Sequence, residues 1–517
     1  MRKACIYKAY CPQRFPAAKS LSHSGTKHSL KNLILTADLL HRGAARLGLE
    51  PNLDWGVAYM FVQTIRSEGL AHFSYLIGDG AIAAVVDPSR DADRYVEAAG
   101  NRGVKIQLIF ETHRNEDYIS GASELSNRTG ATVWRGAASD YDVPYARVLK
   151  DGQEFEFEKL RLWALATPGH TDDSISIAFA HLDTGTDPVG VFTGDTLFVG
   201  DVGRADFYPD RREEVAGRLF DSLHDKLLPL GDQTLIYPAH GAGSACGSGM
   251  AQREMSTLGY ERLNNEWLGM RREDFIARKV SEHHYYPPYF HRMESANQGK
   301  DPELASLPPC GPMGMGEVQS ALDRKCQLLD LRSDQSIAGA CVSRAISIPL
   351  DMLSSFGGWF LNYSQPIILL MGHASDRDSA VRMLVRMGFD RIEGYVSKGF
   401  EAWSTAAEPV GRIPGLDVHE LAQQMKSDAP PHLLDVRADH EFAEGFIAGA
   451  QNVYVGQIQE QFQTLPNNVP LVTYCASGRR ALVAAAALVR LGRRDVSVCW
   501  GSMKAWKQAG YPLVKST

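Results

Sequence analysis

The chain has 517 residues, too long for one ordinary domain and enough for about three or four. Hydrophobic residues make up 44% and charged residues 22%, which argues for folded globular protein and against disorder. A net charge of −7 speaks against a nucleic-acid binder with a dominant basic surface, and the longest apolar runs, such as ALVAAAALV at 481–489, fall well short of the ~18–20 residues of a membrane span.

The chain opens basic. Residues 1–59 carry nine Lys and Arg against three acids, a net +6 that leaves −13 for the remainder. No long apolar core follows the early basic residues, so a secretory signal is a poor fit. Two readings stay open: an organelle transit peptide, or an unstructured extension translated from upstream of a start near Met60.

From 60 to 245, short β-rich runs alternate with turns: HFSYLIGDG, AIAAVVDPS, VKIQLIFETH, ATVWRG, LRLWALATPGH, SISIAFAH, PVGVFTGDTLF and QTLIYPAH. Helical patterns lie between some of them, as in ADRYVEAAGNRG and REEVAGRLFDSLHDKLL. The pattern predicts one α/β domain. Residues 251–280 read as helical, and 286–317 are rich in Pro and Gly, as in a connection or a surface-hugging segment, so 246–317 is expected to be a helical segment and linker.

The last 200 residues contain an internal repeat. CQLLDLR (326–332) recurs as PHLLDVR (431–437), PIILLMGHASDR (366–377) matches PLVTYCASGRR (470–480), and GFEAW (399–403) matches GSMKAW (501–506). The offsets of 105, 104 and 103 residues predict two copies of a small parallel α/β unit, over 318–405 and 418–515. The eight cysteines, at 5, 11, 246, 310, 326, 341, 475 and 499, include no CxxC pair and are too sparse for a disulfide scaffold. A reducing, cytoplasmic compartment is expected, in which any functional cysteine acts as a thiol.

Four segments of the first domain end strand-like runs in metal-binding side chains: THRNEDY (112–118), TPGHT (167–171), TGDTLF (193–198) and YPAH (237–240). The candidates are His113, Asp117, His170, Asp195 and His240. One histidine alone is usually an ordinary residue, but strand ends are where neighbouring loops meet on a rigid scaffold, and four such segments point to one site. In this order they resemble the metallo-β-lactamase superfamily, whose first motif is HxHxDH. Here that motif stands as His113-Arg114-Asn115-Glu116-Asp117-Tyr118, so Asn115 and Tyr118 replace its second and third histidines. Two divalent ions would be poorly held. What survives is His113, His170 and Asp195, the two-His, one-carboxylate set of non-haem Fe(II) oxygenases. The same matched positions hold iron in the persulfide dioxygenases, a branch of the superfamily that this domain looks like. The resemblance leaves Asp117 and His240 as outer or vestigial residues. It extends to GRADF (203–207), where Arg204 either orients a substrate carboxylate or serves as a salt-bridge partner. Cys246, in GAGSACG, either handles a persulfide at the pocket rim or is an inert buried thiol. Asn297, near PPYF, is expected at the substrate entrance. A degenerate, metal-free fold is the alternative.

Cys475 follows the strand LVTY and precedes a helix. Backbone N–H groups of a tight loop at a helix N-terminus form an anion nest, and with Arg479 and Arg480 nearby they favour thiolate. Gly478 permits the turn. The loop Cys475-Ala476-Ser477-Gly478-Arg479-Arg480 resembles the CxxGxR active-site loop of rhodaneses, the sulfurtransferases. The resemblance assigns catalysis to Cys475 and Arg480 and substrate binding to Gly478 and Arg479. In the first copy Met371 stands in the register of Cys475, and a thioether cannot form a persulfide, so that copy is expected to be inactive.

The expected fold is therefore α/β: a metallo-β-lactamase αββα sandwich followed by two small parallel-sheet rhodanese domains. The order resembles the bacterial persulfide dioxygenase–sulfurtransferase fusions. That resemblance implies one Fe(II) per chain, with zinc as the alternative, and small-molecule persulfide, O₂ and sulfite as partners, without nucleic acid or membrane. Whether the chain forms a homo-oligomer stays open. A thioester hydrolase of the glyoxalase II type and a non-catalytic sulfur carrier or sensor are the competing readings.

Overall fold

A computed structural model of the chain describes residues 60–137, 142–244, 247, 249–300 and 303–515. The basic segment 1–59 and Cys246 lie outside the described residues.

Two six-stranded sheets form the first domain. One joins β1–β6 (Phe61–Ser67, His72–Asp79, Ile82–Val86, Lys105–Glu111, Thr132–Arg135 and Ala146–Val148) in sequence order. The other joins β7–β12 (Glu154–Phe157, Leu160–Ala166, Ile175–His181, Gly190–Gly194, Leu235–Pro238 and Ser256–Thr257) in the order 12-11-10-9-8-7. Alternation along the strands decides which side chains face which layer. Along β3, Ala84 and Val86 enter the core between the sheets, where Phe73, Phe110, Phe179 and Phe192 lie, while Ala83 and Val85 face the helices Asp93–Arg102 and Ala122–Thr129. Helices Arg212–Asp221 and Arg272–Ser281 cover the second sheet. The result is the αββα sandwich.

The run 251–280 is not one helix. It starts with the short β12 and then breaks into Leu258–Asn264, a 3₁₀ turn at Glu266–Gly269, and Arg272–Ser281. Thr257 and Asn265 cause the breaks: their side chains accept N–H groups of Tyr260 and Trp267 and restart the helix instead of extending it. Nor does 286–317 merely hug the surface. Tyr289, Phe290 and Met293 are buried in an apolar core shared with the repeat copies.

The two copies are superimposable in topology. β13–β17 (Pro312–Met313, Gln327–Asp330, Ile346–Ser347, Ile367–Leu370 and Ile392–Val396) pair in the order 13-17-16-14-15. β18–β22 (Gly415–Leu416, His432–Asp435, Gln451–Asn452, Leu471–Tyr474 and Val496–Cys499) pair as 18-22-21-19-20, the same arrangement. Every pair in both sheets is parallel. The central strands β16 and β21, buried at every position, read as near-continuous apolar runs rather than alternating ones. Helix Arg479–Arg490 is buried from Ala481 to Leu488 and packs against helix Asp334–Gly339 and β15 of the first copy.

An ionic seam, buried at its Arg386–Asp91 centre, fastens the first copy to the sandwich. Arg386 holds Asp91 through two bonds, Nε to Oδ1 at 3.0 Å and Nη2 to Oδ2 at 2.7 Å. Arg382 reaches Asp93 at 2.8 Å, and Arg90 reaches Asp390 at 2.7 Å. The Ile119 N–H donates to the Arg386 carbonyl at 2.8 Å, which ties the seam to the segment carrying Asp117 and Tyr118.

Candidate active sites

β4, β8, β10 and β11 each run straight into a loop that carries a candidate ligand: His113 after β4, His170 after β8, Asp195 after β10 and His240 after β11. The ligand atoms of His113, His170 and Asp195 lie within 4.8 Å of one another, and all three residues are buried. Asp195 Oδ2 is 3.7 Å from His113 Nε2 and 3.6 Å from His170 Nε2. Each imidazole is oriented from behind. His113 Nδ1 lies 2.9 Å from the Thr112 hydroxyl, which itself donates to Asp87 at 2.8 Å, so Nδ1–H donates to that hydroxyl. His170 Nδ1–H donates to the Arg204 carbonyl at 3.0 Å. Both Nε2 atoms therefore face the cluster with a lone pair. Burial pushes the His113 imidazole down to about 4 and keeps it neutral. Burial also raises Asp195, but His240 and His113 beside it hold its carboxyl well below the usual carboxylate range. His170 Nε2 has no hydrogen-bond partner although it is fully buried. Two imidazoles, one carboxylate and an orphaned buried nitrogen fit a divalent cation with open positions.

His240 Nδ1 lies 2.8 Å from Asp195 Oδ1, and its Nε2 lies 3.1 Å from Asp117 Oδ2. The two residues thus form a chain behind Asp195. Asn115 and Tyr118, which stand where the superfamily motif has histidines, are buried; Asn115 Nδ2 turns back to the His113 carbonyl at 3.4 Å, and the Tyr118 ring packs on His72 at 4.2 Å.

Several residues around the cluster were not read from the sequence. Asp87, left-handed at φ 50° and pushed up to about 7 by burial, accepts from both the Thr112 N–H and hydroxyl. Its only signal was an acid closing an apolar strand in VVDPS. Glu116, at the variable position before Asp117, is fully buried with Oε2 3.7 Å from His170 Nε2, and adds an oxygen donor facing that ligand. Asn297 lines a cavity of about 180 Å³ together with Ser120 and Glu124, and none of the three candidate metal ligands lines it. Asn297 is 4% exposed, it accepts the Ser120 N–H at 2.8 Å, and its amide donates to the carbonyls of Asn115 at 2.7 Å and Tyr118 at 2.9 Å. A buried amide braces a loop by satisfying its backbone, which is why it sits inside. The Arg204 guanidinium grips Asp206 at 2.6 and 2.8 Å and lies over Phe207, so it is its backbone carbonyl that serves the cluster.

In the second copy Cys475 is buried, and its Sγ accepts the Gly478 N–H at 3.1 Å. The loop is held from below: Ser502 Oγ accepts the Cys475 N–H at 3.1 Å and donates to the Cys499 carbonyl at 2.6 Å. Gly478 caps helix Arg479–Arg490 at φ 110°, and a Cβ there would come within 3.0 Å of Trp500, so the turn requires glycine. Arg480 pairs with Glu441 at 2.6 and 2.8 Å. Arg479 points elsewhere. Its guanidinium reaches Asp334 at 3.0 Å and Asp351 at 2.7 Å, both in the first copy, because those two carboxylates face the start of its helix. Burial pushes the Cys341 thiol up to about 11 and Cys499 up to about 12, which leaves them poor nucleophiles. Met371 occupies the place of Cys475, directly after β16.

Residues 68–240 match the metallo-beta-lactamase superfamily, and residues 315–406 and 417–509 match the rhodanese-like domain. Persulfide dioxygenase ETHE1, mitochondrial, of Bos taurus is 28% identical over 212 residues, covering 40% of this chain and 74% of that protein. A hydroxyacylglutathione hydrolase of Brucella anthropi is 33% identical over 172 residues, covering 33% of this chain and 61% of the relative. A crystal structure of a metallo-beta-lactamase from Staphylococcus aureus is 29% identical, with a TM-score of 0.58 over 66% of this chain and 99% of that chain. Among the described residues no helix is long and apolar enough to cross a membrane.

Proposed function

Because the chain carries a metallo-β-lactamase-superfamily domain followed by two rhodanese-like domains, we propose that it is a persulfide dioxygenase joined to a sulfurtransferase that makes thiosulfate in a reducing, cytoplasmic compartment. The domains would run over 60–245, 318–405 and 418–515, with 246–317 between the first two. The first reaction is RSSH + O₂ + H₂O → RSH + SO₃²⁻ + 2H⁺. His113, His170 and Asp195 would hold one Fe(II), which supplies the activation of O₂ when bound. Thr112 and the Arg204 carbonyl keep both imidazoles in the ligating tautomer. His240 and Asp117 hold Asp195 in place.

The second reaction is a sulfur transfer. Cys475 takes the outer sulfur of a second persulfide, and the Gly478 N–H stabilises the thiolate and the persulfide anion. Arg480 offers positive charge for a dianionic acceptor. The first copy, with Met371, supplies packing rather than chemistry.

The observation that carries this reading is the convergence of one carboxylate and two imidazoles where Asn115 and Tyr118 have displaced the other imidazoles of the superfamily motif. The 33% identity to a hydroxyacylglutathione hydrolase favours a second reading, a thioester hydrolase with an appended sulfurtransferase. Anaerobic purification, metal quantification and O₂ uptake with glutathione persulfide separate the two. One iron per chain with uptake supports the dioxygenase; two zincs and thioester cleavage without uptake refute it; a metal-free, inert protein leaves the non-catalytic carrier.

A further inference from the structure

Between Asn115 and Asp117, at the position the HxHxDH motif leaves open, the chain carries an acid. Glu116 is fully buried, and among the described residues neither of its carboxyl oxygens has a hydrogen-bond partner. Oε2 lies 3.7 Å from His170 Nε2, itself without a hydrogen-bond partner, and Oε1 lies 3.8 Å from Arg114 Nη2. Both separations are too long for a hydrogen bond. The backbone on either side is fixed all the same: the Asn297 amide donates to the carbonyls of Asn115 and Tyr118. The Phe207 ring meets His170 edge-on at 5.2 Å and helps to hold the imidazole that faces Glu116.

A buried oxygen pair without donors has lost its hydration and regained nothing, so it calls for a partner that enters the site. Oε2 and the His170 nitrogen stand close together without bonding, as two groups do that address a common third. Glu116 is not among the three residues whose ligand atoms all lie within 4.8 Å of one another. It is therefore placed to act on the cation through a group bound there, not as a fourth ligand. We propose that Glu116 is a positioning residue of the metal centre, whose carboxyl oxygen accepts a hydrogen bond from a water at the open position of the cation beside His170 and so leaves the other open positions to sulfur and O₂. The inference rests on the single-cation part of the functional reading. Outer partners of this kind change metal affinity by about 10–100-fold.

Two variants of the full chain test it. Glu116→Leu removes both oxygens at similar volume, and Glu116→Gln keeps one acceptor oxygen in place. Three quantities are measured without O₂: Fe(II) affinity by competition with a chromophoric chelator, the electron paramagnetic resonance spectrum of the nitric oxide adduct of the iron-loaded protein, and the urea midpoint of the metal-free protein. Glu116→Leu is expected to bind Fe(II) about 10-fold more weakly or worse and to change the nitric oxide spectrum, while Glu116→Gln restores the spectrum and most of the affinity. The metal-free midpoint should be unchanged or higher in both variants, because no hydrogen bond of the metal-free protein is lost. Wild-type affinity and spectrum in Glu116→Leu overturn the proposal. Equal losses in both variants overturn it too, since charge alone would then be the cause. So does a lowered metal-free midpoint in both, which marks a carboxyl that merely supports the fold. A wild-type chain that binds no iron is a different result: it overturns the metal reading itself.

Discussion

Replacing Arg386 by Met should loosen the joint between the sandwich and the first repeat copy. Arg386 and Asp91 are 3% and 1% exposed, and the guanidinium grips both carboxylate oxygens. Burial alone would raise the Asp91 carboxyl, yet Arg386 beside it brings it down to about 2 from 3.8. At about 1.4 kcal/mol per pKa unit, the charged form gains roughly 2 kcal/mol from its folded surroundings. Removing one partner of a buried pair leaves an uncompensated charge and costs about 3–5 kcal/mol. Arg382, 3.1 Å from Asp91 Oδ2, and the Ser89 hydroxyl at 2.8 Å remain, which places the expected loss near the lower limit, at about 3 kcal/mol. The pH dependence has a definite sign. A carboxyl whose folded pKa is depressed contributes stability above its unfolded value, and that contribution is lost as pH falls from about 4 towards about 2. Urea unfolding followed by tryptophan emission should therefore show a large gap between wild type and Arg386→Met at pH 7 that narrows below pH ~4. Adding Asp91→Asn to the variant should recover part of the loss, since the stranded charge is gone. A gap under about 1 kcal/mol at pH 7, or one that does not change with pH, would refute the reasoning.

The sites give three further expectations. His113→Ala removes one of three convergent ligands and should abolish both iron binding and O₂ uptake; normal iron content with full uptake would remove His113 from the site. Asn115→His with Tyr118→His returns the missing imidazoles beside Asp117 and His240, and zinc titration should move from one towards two ions per chain; an unchanged stoichiometry would show that neighbouring side chains close the second position. Cys475→Ser keeps the loop size but cannot carry sulfur, so O₂ uptake should persist while sulfite accumulates in place of thiosulfate; ion chromatography decides, and thiosulfate at the wild-type rate would exclude Cys475 as the carrier.

What could be read from the chain depended on the range of each interaction. The apolar run LVTY became β21 because a strand buried on both faces writes its burial into consecutive residues, and VKIQLIFETH became β4, where Ile106 alternates with the exposed Lys105 and Gln107 before a buried end. The repeat and the exchange of Cys475 for Met371 were visible because a loop closed by its own backbone keeps its register. The metal cluster was visible because each ligand directly follows a strand. Long-range partners left no such mark. Arg386 is nearly 300 positions from Asp91 and looks like any helix arginine. Arg479 stands beside a reactive loop, but Asp334 and Asp351, far back in the first copy, decide where its charge goes. Asn297 sits in a polar stretch that gives no hint of the three backbone groups it satisfies. The helical composition of 251–280 concealed two caps, since Thr257 and Asn265 act through local geometry that periodicity does not register.

Helix Arg479–Arg490 carries a further implication. From Ala481 to Leu488 it presents small and aliphatic side chains to both copies, and its first residue is pinned to two carboxylates of the first one. Their interiors form one continuous apolar mass. The pair is arranged as a dimer written on a single strand, in which one copy has Met371 where the other has Cys475 and both keep the interface. Mutational freedom is then unequally distributed in the first copy. The loop around Met371 carries no cysteine to preserve, whereas the surface holding Asp334, Ile346 and Asp351 must continue to fit its twin. Grafting the second copy alone onto another protein would carry away Cys475 and strip the helix that follows it of its packing, so the smallest portable folded unit here is the couple.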